Sequence, residues 1–328
     1  MMKQQLATRL FLAHSLIAAG GSAYGQGAAT GSGQPYPVKP IRVITAGIGG
    51  GNDVSARLMA QGLTAAFGQQ AIVDNRASGI STAEAVARAA PDGYTVMVYG
   101  STIWITPLLQ TTPYDPVADF AAITMVASSP HVIVVHPSLP VSSVRELIAL
   151  AKARPGQLND ASLGTGTSTH LGAELFKSMA GVNIVRVPYK SPATQLTDLI
   201  GGQVQMTFST SGAAMPHVKT GRLKALAVTS AQPSALVPGL ATVAASGLPG
   251  FESGALYVMF APARTPVAII TRLNQEMLRF LGQADIREKF FNSALEVTTS
   301  TPEELTAKMK SEMARLGKVI KDAGIRVE

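Results

Sequence analysis

Residues 40–53, Pro-Ile-Arg-Val-Ile-Thr-Ala-Gly-Ile-Gly-Gly-Gly-Asn-Asp, run from a short β-branched stretch into glycines and then into an Asn-Asp pair that opens a helical pattern. Glycines let the backbone approach a bound group closely, and a helix N-terminus offers unpaired N–H groups at the positive end of its dipole. Such a corner holds an anion without a cationic side chain. A second corner of the same kind, Gly164-Thr165-Gly166-Thr167-Ser168-Thr169-His170, follows more than a hundred residues later. Two anion-holding corners on two halves of one chain predict a cleft between them.

Outward from these corners the pattern alternates strand and helix, as in α/β folds with mostly parallel sheets. The expected strands are 41–45, 71–74, 94–99, 132–135, 161–163, 184–187, 204–208, 223–229 and 257–260. Helices are expected over 52–67, 81–90, 142–154, 169–180, 193–200, 266–281 and 302–323, with a proline-punctuated loop over 107–116. The fold class expected is α/β, a two-lobed, type II-like binding-protein fold with its cleft between two mixed, mostly parallel sheets. Lobe 1 is expected over 36–130, lobe 2 over 131–223, and a return to lobe 1 with the C-terminal helices over 224–328. Ligands of such folds bind at the carboxyl ends of the strands.

Composition narrows the classes. Residues 1–25 carry Lys3 and Arg9, an apolar run over 10–19, and the small residues Ala23 and Gly25 around Tyr24. That is the three-part pattern of a secretory signal peptide, with cleavage before Gln26. Residues 26–35, rich in Gly, Ala, Ser and Thr, read as a disordered leader. No later apolar run reaches the roughly 18 residues needed to span a bilayer. The sequence has no Cys, so core burial must stabilise an exported chain without disulfides or thiolate–metal sites. The net charge of +7, about +5 without Lys3 and Arg9, is scattered with little aromatic interleaving. That argues against nucleic acid and permits weak attraction of anionic solutes.

Competing chemistries are incomplete. The run 47–52 with Asp74 ending the next strand imitates a dinucleotide fingerprint, but Asn52 stands where Gly or Ala is needed for helix packing. No Gly-x-Ser-x-Gly elbow exists, and the proximity of Ser168 to His170 is local rather than a triad. His131, His136 and His217 lack metal-ligand spacing. No catalytic residue, metal or cofactor is expected.

The motifs in their order resemble one family. They are Tyr36-Pro37-Val38-Lys39-Pro40-Ile41-Arg42, Gly49-Gly50 with Asp53, Val73-Asp74-Asn75-Arg76, and Ala90-Pro91-Asp92-Gly93-Tyr94. Pro113-Tyr114-Asp115-Pro116, His170-Leu171 with Glu174, Val187-Pro188-Tyr189-Lys190, Gly201-Gly202-Gln203-Val204 and Ala261-Pro262 continue them. From Tyr36 onward the chain resembles the periplasmic solute-binding receptors of tripartite tricarboxylate transporters, the Bug or TctC family. The resemblance implies a periplasmic receptor that closes on a small carboxylate and engages permease subunits transiently, acting as a monomer. It implies a ligand held largely by backbone N–H groups and ordered waters from the loops 46–53 and 164–170.

The sequence departs from the family pattern where prolines are replaced by Thr45-Ala46-Gly47-Ile48. Ala77–Ser81 replaces a Gly-Ala-Gly-Gly, Gln205 stands for an acid, and a Trp is missing near Ala255-Leu256-Tyr257. The expected ligand-binding residues are therefore Ala46, Gly47, Gly49, Gly50, Asp53, Ser101, Gly164, Thr165, Gly166, Thr167, Ser168, His170 and Ser209. Asp53 is weighed as a helix cap as well as a water-mediated contact, His170 as a helix-start residue bonded to a neighbouring loop, and Trp104 as core or cleft wall. A sensory role and an exported enzyme on the same fold are the alternatives.

Overall fold

A computed structural model describes residues 36–325; the signal-peptide and leader expectations fall outside the described residues. In chain order the elements are β1 (Ile41–Thr45), α1 (Gly50–Phe67), β2 (Ala71–Asn75), α2 (Gly79–Ala87), β3 (Thr95–Gly100), α3 (Thr102–Leu109), β4 (Phe120–Val135), α4 (Val144–Ala153), β5 (Asn159–Ser162) and α5 (Ser168–Ala180). There follow β6 (Val185–Pro188), α6 (Pro192–Ile200), β7 (Met206–Thr210), α7 (Ser211–Lys219), β8 (Lys224–Val228), β9 (Gly254–Pro262), α8 (Val267–Leu281), α9 (Ala284–Asn292), β10 (Glu296–Val297) and α10 (Pro302–Asp322).

The sheet order is β2-β1-β3-β9-β4-β7-β5-β6, with β8 and β10 also pairing with β4. The flanks are parallel, β2-β1-β3 on one side and β6-β5-β7 on the other. The middle is antiparallel and is built on β4. Its first part pairs with β9 and β10. Its last residues, His131–Val135, pair with β7 and β8. One strand thus belongs to both halves. The sequence reading reached only 132–135 of it, because Ser128-Ser129-Pro130 reads as a breaker. Pro130 lies where β4 changes partners: the rungs to β10 end at Ser128 and those to β7 begin at His131, so a missing N–H is tolerated there.

The strand at 224–228, expected to return the chain to lobe 1, instead pairs with residues 132–135 beside β7's half of the sheet. The return is made by β9, whose Gly254 pairs with Pro130. Local sequence cannot show which partner a strand chooses. A second difference is α3, which runs through Pro107 where a loop was expected. Pro107 cannot donate to the Ile103 carbonyl, and the Tyr114 hydroxyl donates to it instead at 2.9 Å. The helix is kept by a bond from eleven residues away.

Four apolar clusters fill the layers. On one side of the first half, α1 packs on α8 through Leu63, Leu273 and Met277. On its other side lie α2, α3 and α10, with Trp104, Leu305 and Leu316. In the second half, Leu147 and Phe176 of α4 and α5 cover one face, and Leu196 and Ala214 of α6 and α7 the other. Each fully buried Leu or Phe contributes roughly 1.5–3 kcal/mol. Leu171 of α5 lies in the first half's cluster, and Val319 of α10 in the second's. These two helices tie the halves together on one face. No helix among the described residues is long and apolar enough to cross a membrane.

Candidate ligand-binding site

The first corner is shaped by Gly49 and Gly50, whose φ values of 88° and 76° are left-handed and favour glycine. They let α1 begin at Gly50, two residues before the sequence suggested. Asp53 is 5% exposed, and both of its carboxylate oxygens are occupied. Oδ2 accepts from the Gly49 N–H at 3.1 Å and from Arg57 Nε at 3.0 Å, and Oδ1 from Asn75 Nδ2 at 2.8 Å. Burial raises this carboxyl, but the bonds from Arg57, Asn75 and Gly49 outweigh it and hold the group below the usual range. Asp53 is thus not the N-cap, which is Gly49; it reaches back from the fourth helical position to the N–H of that cap residue. Asn75 also donates to the Ala46 carbonyl at 2.6 Å. Gly47 and Ile48 project into solvent, Ile48 being 81% exposed. The N–H groups of Gly50, Gly51 and Asn52 lie in the first helical turn, where no intrahelical acceptor exists. Asp74, the acid of the dinucleotide alternative, is held by Arg42 at 2.7 Å and Arg76 at 2.9 Å on the sheet surface.

The sequence reading missed Tyr257. A Cβ on Gly51 would lie 2.0 Å from its hydroxyl oxygen, so the phenol lies directly against the start of α1. Burial raises its pKa, so it stays a neutral hydrogen-bonding group at this corner. Gly51→Ala is expected to destabilise by about 1–3 kcal/mol through overpacking against a rigid ring. A Gly51→Ala/Tyr257→Ala double variant should lose less than the sum of the two single variants, measured by urea unfolding. Strict additivity would mean that the contact is absent.

At the second corner, Gly166 is left-handed with φ 83°, and its N–H donates to His170 Nδ1 at 3.2 Å. Burial, with smaller contributions from Arg186 and Lys177, pushes the His170 pKa down to about 4. The ring is therefore neutral at pH 7, and as a buried base it steadies its own loop. Thr167 caps α5 by accepting the His170 N–H at 3.3 Å, and it donates to the Gly164 carbonyl at 2.9 Å. Arg186, from β6, braces the corner by bonding the Leu163 carbonyl at 3.0 Å and Thr165 Oγ1 at 3.3 Å. A cation thus does support this corner, from a strand the loop's own sequence does not include. Ser168 Oγ lies 3.2 Å from Nε2 of the buried His131 on β4. What remains open is the main chain of Ser168 and Thr169 in the first turn of α5.

The structure brings two of the expected residues into one wall. Ser101, at the end of β3, and Ser168 both line a cavity of about 430 Å³ whose wall also includes Ser128–Pro130 of β4, Gly254–Leu256 of β9, and α10. This volume lies within the range of small-molecule sites. Gly100 packs on Asn52 Oδ1, and a Cβ on Gly166 would lie 2.7 Å from Leu109 of α3. Residues 46–53 and Ser209 do not line the cavity. Ser209 is buried in β7 and alternates with Phe208, whose ring lies in the α5-side core, so the two side chains take opposite faces. Trp104 is core: it is fully buried, and its Nε1 donates to Glu312 at 3.2 Å.

The cavity also receives Lys308, Glu312 and Arg315, which the sequence reading left unassigned. Their i, i+4, i+7 spacing places them on one face of α10, a legible signal. Their burial against Glu252 and Trp104 is tertiary and was not legible. Among the described residues no group of three or more His, Cys, Asp or Glu is placed to hold a metal ion.

A two-lobed α/β fold with a cavity lined from both halves, by Ser101 after β3 and by Ser168 at the start of α5, is that of a periplasmic solute-binding protein. The chain belongs to the TctC family, described as tripartite tricarboxylate transporter family receptor, which matches residues 55–325. It is 32% identical over 307 residues to protein BugT of Bordetella pertussis, covering 92% of this chain and 94% of that protein. Among solved structures it resembles R. palustris Rpa4515 with adipate, at 35% identity and TM-score 0.72, covering 89% of this chain and 99% of that one. It also resembles MatC from Rhodopseudomonas palustris with bound malate, at 27% identity and TM-score 0.68, covering 87% and 100%. The expected family and fold class are therefore correct, and the protein is a solute-binding receptor of the tripartite transporter type.

Proposed function

We propose that this receptor works in the periplasm, captures a small organic carboxylate between the corners at 46–53 and 164–170, and passes it unaltered to integral-membrane permease subunits. The observation that carries this reading is the junctional cavity, where Ser101 from one half meets Ser168 at the start of α5 from the other. The start of α5, through Ser168, offers first-turn N–H groups at the cavity wall, while the α1 corner lies outside that wall and reaches the ligand on closure. The adipate and malate held by the two relatives are both carboxylates of this size. Asp53 and His170 act as shapers of their corners, while the ligand is met by main-chain donors and bridging water. A ligand touching both halves favours the closed form because it gains contacts there that the open form lacks. No cofactor takes part, and the receptor acts as a monomer.

A thermal-shift screen with aliphatic and aromatic carboxylates tests this. A binder at a hundred times its dissociation constant adds about 2.7 kcal/mol, a rise of roughly 5 °C for a chain of this size. The ligand should be recovered chemically unchanged. A neutral sugar raising the melting point while every carboxylate fails would overturn the assignment.

A further inference from the structure

We infer that His131, buried where β4 passes from one half to the other, is a positioning residue of the ligand site that turns the Ser168 hydroxyl proton toward a bound carboxylate. The inference deepens the receptor reading and rests on it. Ser168 opens α5 and lines the cavity, so its side chain stands beside the first-turn N–H groups proposed to meet the ligand.

The His131 ring is fully buried and is not part of the cavity wall. Both of its nitrogens face serines that are. Nε2 lies 3.2 Å from Ser168 Oγ, and Nδ1 lies 3.4 Å from Ser253 Oγ, just before the return strand β9. Thr229 fixes the footing of the ring. Its hydroxyl accepts the His131 N–H at 2.9 Å, its N–H donates to the His131 carbonyl at 2.9 Å, and its carbonyl accepts the Ser253 N–H at 2.9 Å. Gly172 of α5 leaves the room that Ser253 needs, since a Cβ there would lie 2.2 Å from Ser253 Oγ.

Burial pushes the His131 pKa down to about 4, so the ring is neutral at pH 7. A neutral imidazole has one N–H and one lone pair. With the proton on Nδ1, Ser253 accepts it, Nε2 takes the Ser168 proton, and Ser168 shows only lone pairs to the cavity. With the proton on Nε2, Ser253 donates to Nδ1, the ring donates to Ser168 Oγ, and the Ser168 proton is free. A carboxylate accepts and cannot donate, so only the second tautomer serves it. Ligand and tautomer are therefore linked, and each favours the other. A serine stands behind the ring in place of a carboxylate, so the pair orients a hydroxyl and does not activate a nucleophile.

The probe is the acid giving the largest melting-point rise among acetate, hexanoate, hexanedioate, malate and benzoate. Calorimetric titration at pH 7 compares wild type with Ser168→Ala, His131→Asn, His131→Gln and His131→Phe. Gln places an amide donor near the former Nε2, whereas Asn reaches only the Nδ1 side and Phe supplies neither. His131→Asn and His131→Phe should weaken binding about tenfold, near the loss in Ser168→Ala, and His131→Gln should recover most of it. In the Ser168→Ala background the His131 substitutions should change affinity by less than about twofold. Nitrogen-15 histidine spectra of wild type, assigned with His131→Gln, should show the proton on Nε2 once the acid is saturating. Unfolding midpoints report whether each variant folds, and the wild-type spectra decide the matter if none does. Affinity that follows only the unfolding midpoint, or a proton held on Nδ1 in the bound form, overturns the role of His131 and leaves the receptor reading standing. Absence of a melting-point rise with every acid overturns both.

Discussion

Trp104→Ala lowers the unfolding free energy by about 3–5 kcal/mol, the largest single loss expected in this chain. The ring is fully buried and meets Phe260 edge-on, with centroids 6.2 Å apart. Its removal opens a void beneath α3 and also strips Glu312 of the Nε1–H donor on which its Oε2 rests. Burial already raises the Glu312 carboxyl, against the pull of Lys308 and of this same bond. Losing the donor leaves a buried acid with less support, so the loss belongs at the upper end of the range. Trp104→Phe keeps most of the volume and should cost about 1–2 kcal/mol. Urea unfolding followed by circular dichroism measures both. A Trp104→Ala cost below 1 kcal/mol would show that α3 does not rest on this ring.

Asp160→Asn raises stability at pH 8 by about 1–3 kcal/mol, and the gain fades toward pH 4. Asp160 is buried on β5, and neither carboxylate oxygen has a hydrogen-bond partner. Burial pushes its pKa up to about 7. Lys177 and Arg186 oppose that shift, and Glu174 adds to it. Between about pH 4 and 7 the unfolded chain has released this proton while the native state keeps it. Native stability therefore falls as pH rises through that window, and above pH 7 the full penalty remains. The buried histidines run the other way. His131 and His170 are both pushed down to about 4 by burial, so the unfolded chain binds protons that the native state refuses between pH 6.5 and 4. Their contribution is lost as pH falls. The wild-type profile mixes these opposing slopes, whereas the difference between Asp160→Asn and wild type isolates one carboxyl. A constant difference from pH 4 to pH 8 would mean that Asp160 is not the titrating group.

Local chemistry accounts for what the sequence made legible. The glycine corners and the helix from Pro302 follow from φ preferences and 3.6-residue periodicity, written within a few residues, whereas the cap of α5 proved to be Thr167. The misread parts depend on distant partners. Pro107 sits inside α3 because Tyr114 replaces its bond. Pro130 sits inside β4 because the strand changes partners there. The same holds for the site. The loops near Gly49 and Gly166 announced themselves, and supporting roles for Asp53 and His170 were among the readings weighed; their partners Arg57, Asn75 and the Gly166 N–H are what the structure adds. Arg315 reached the cavity wall from α10 and Tyr257 reached the α1 corner from β9, tertiary contacts that no local pattern specifies.

The rung Pro130–Gly254 has a further consequence for engineering. Everything from His131 to Ser253 leaves and rejoins the first half across one rung of a hairpin-like ladder, so its two ends are neighbours in space. That stretch is in effect a cassette. Joining 130 to 254 by a tight turn would delete it while leaving β9 and the first part of β4 aligned, and a foreign cassette with adjacent termini could be grafted in its place.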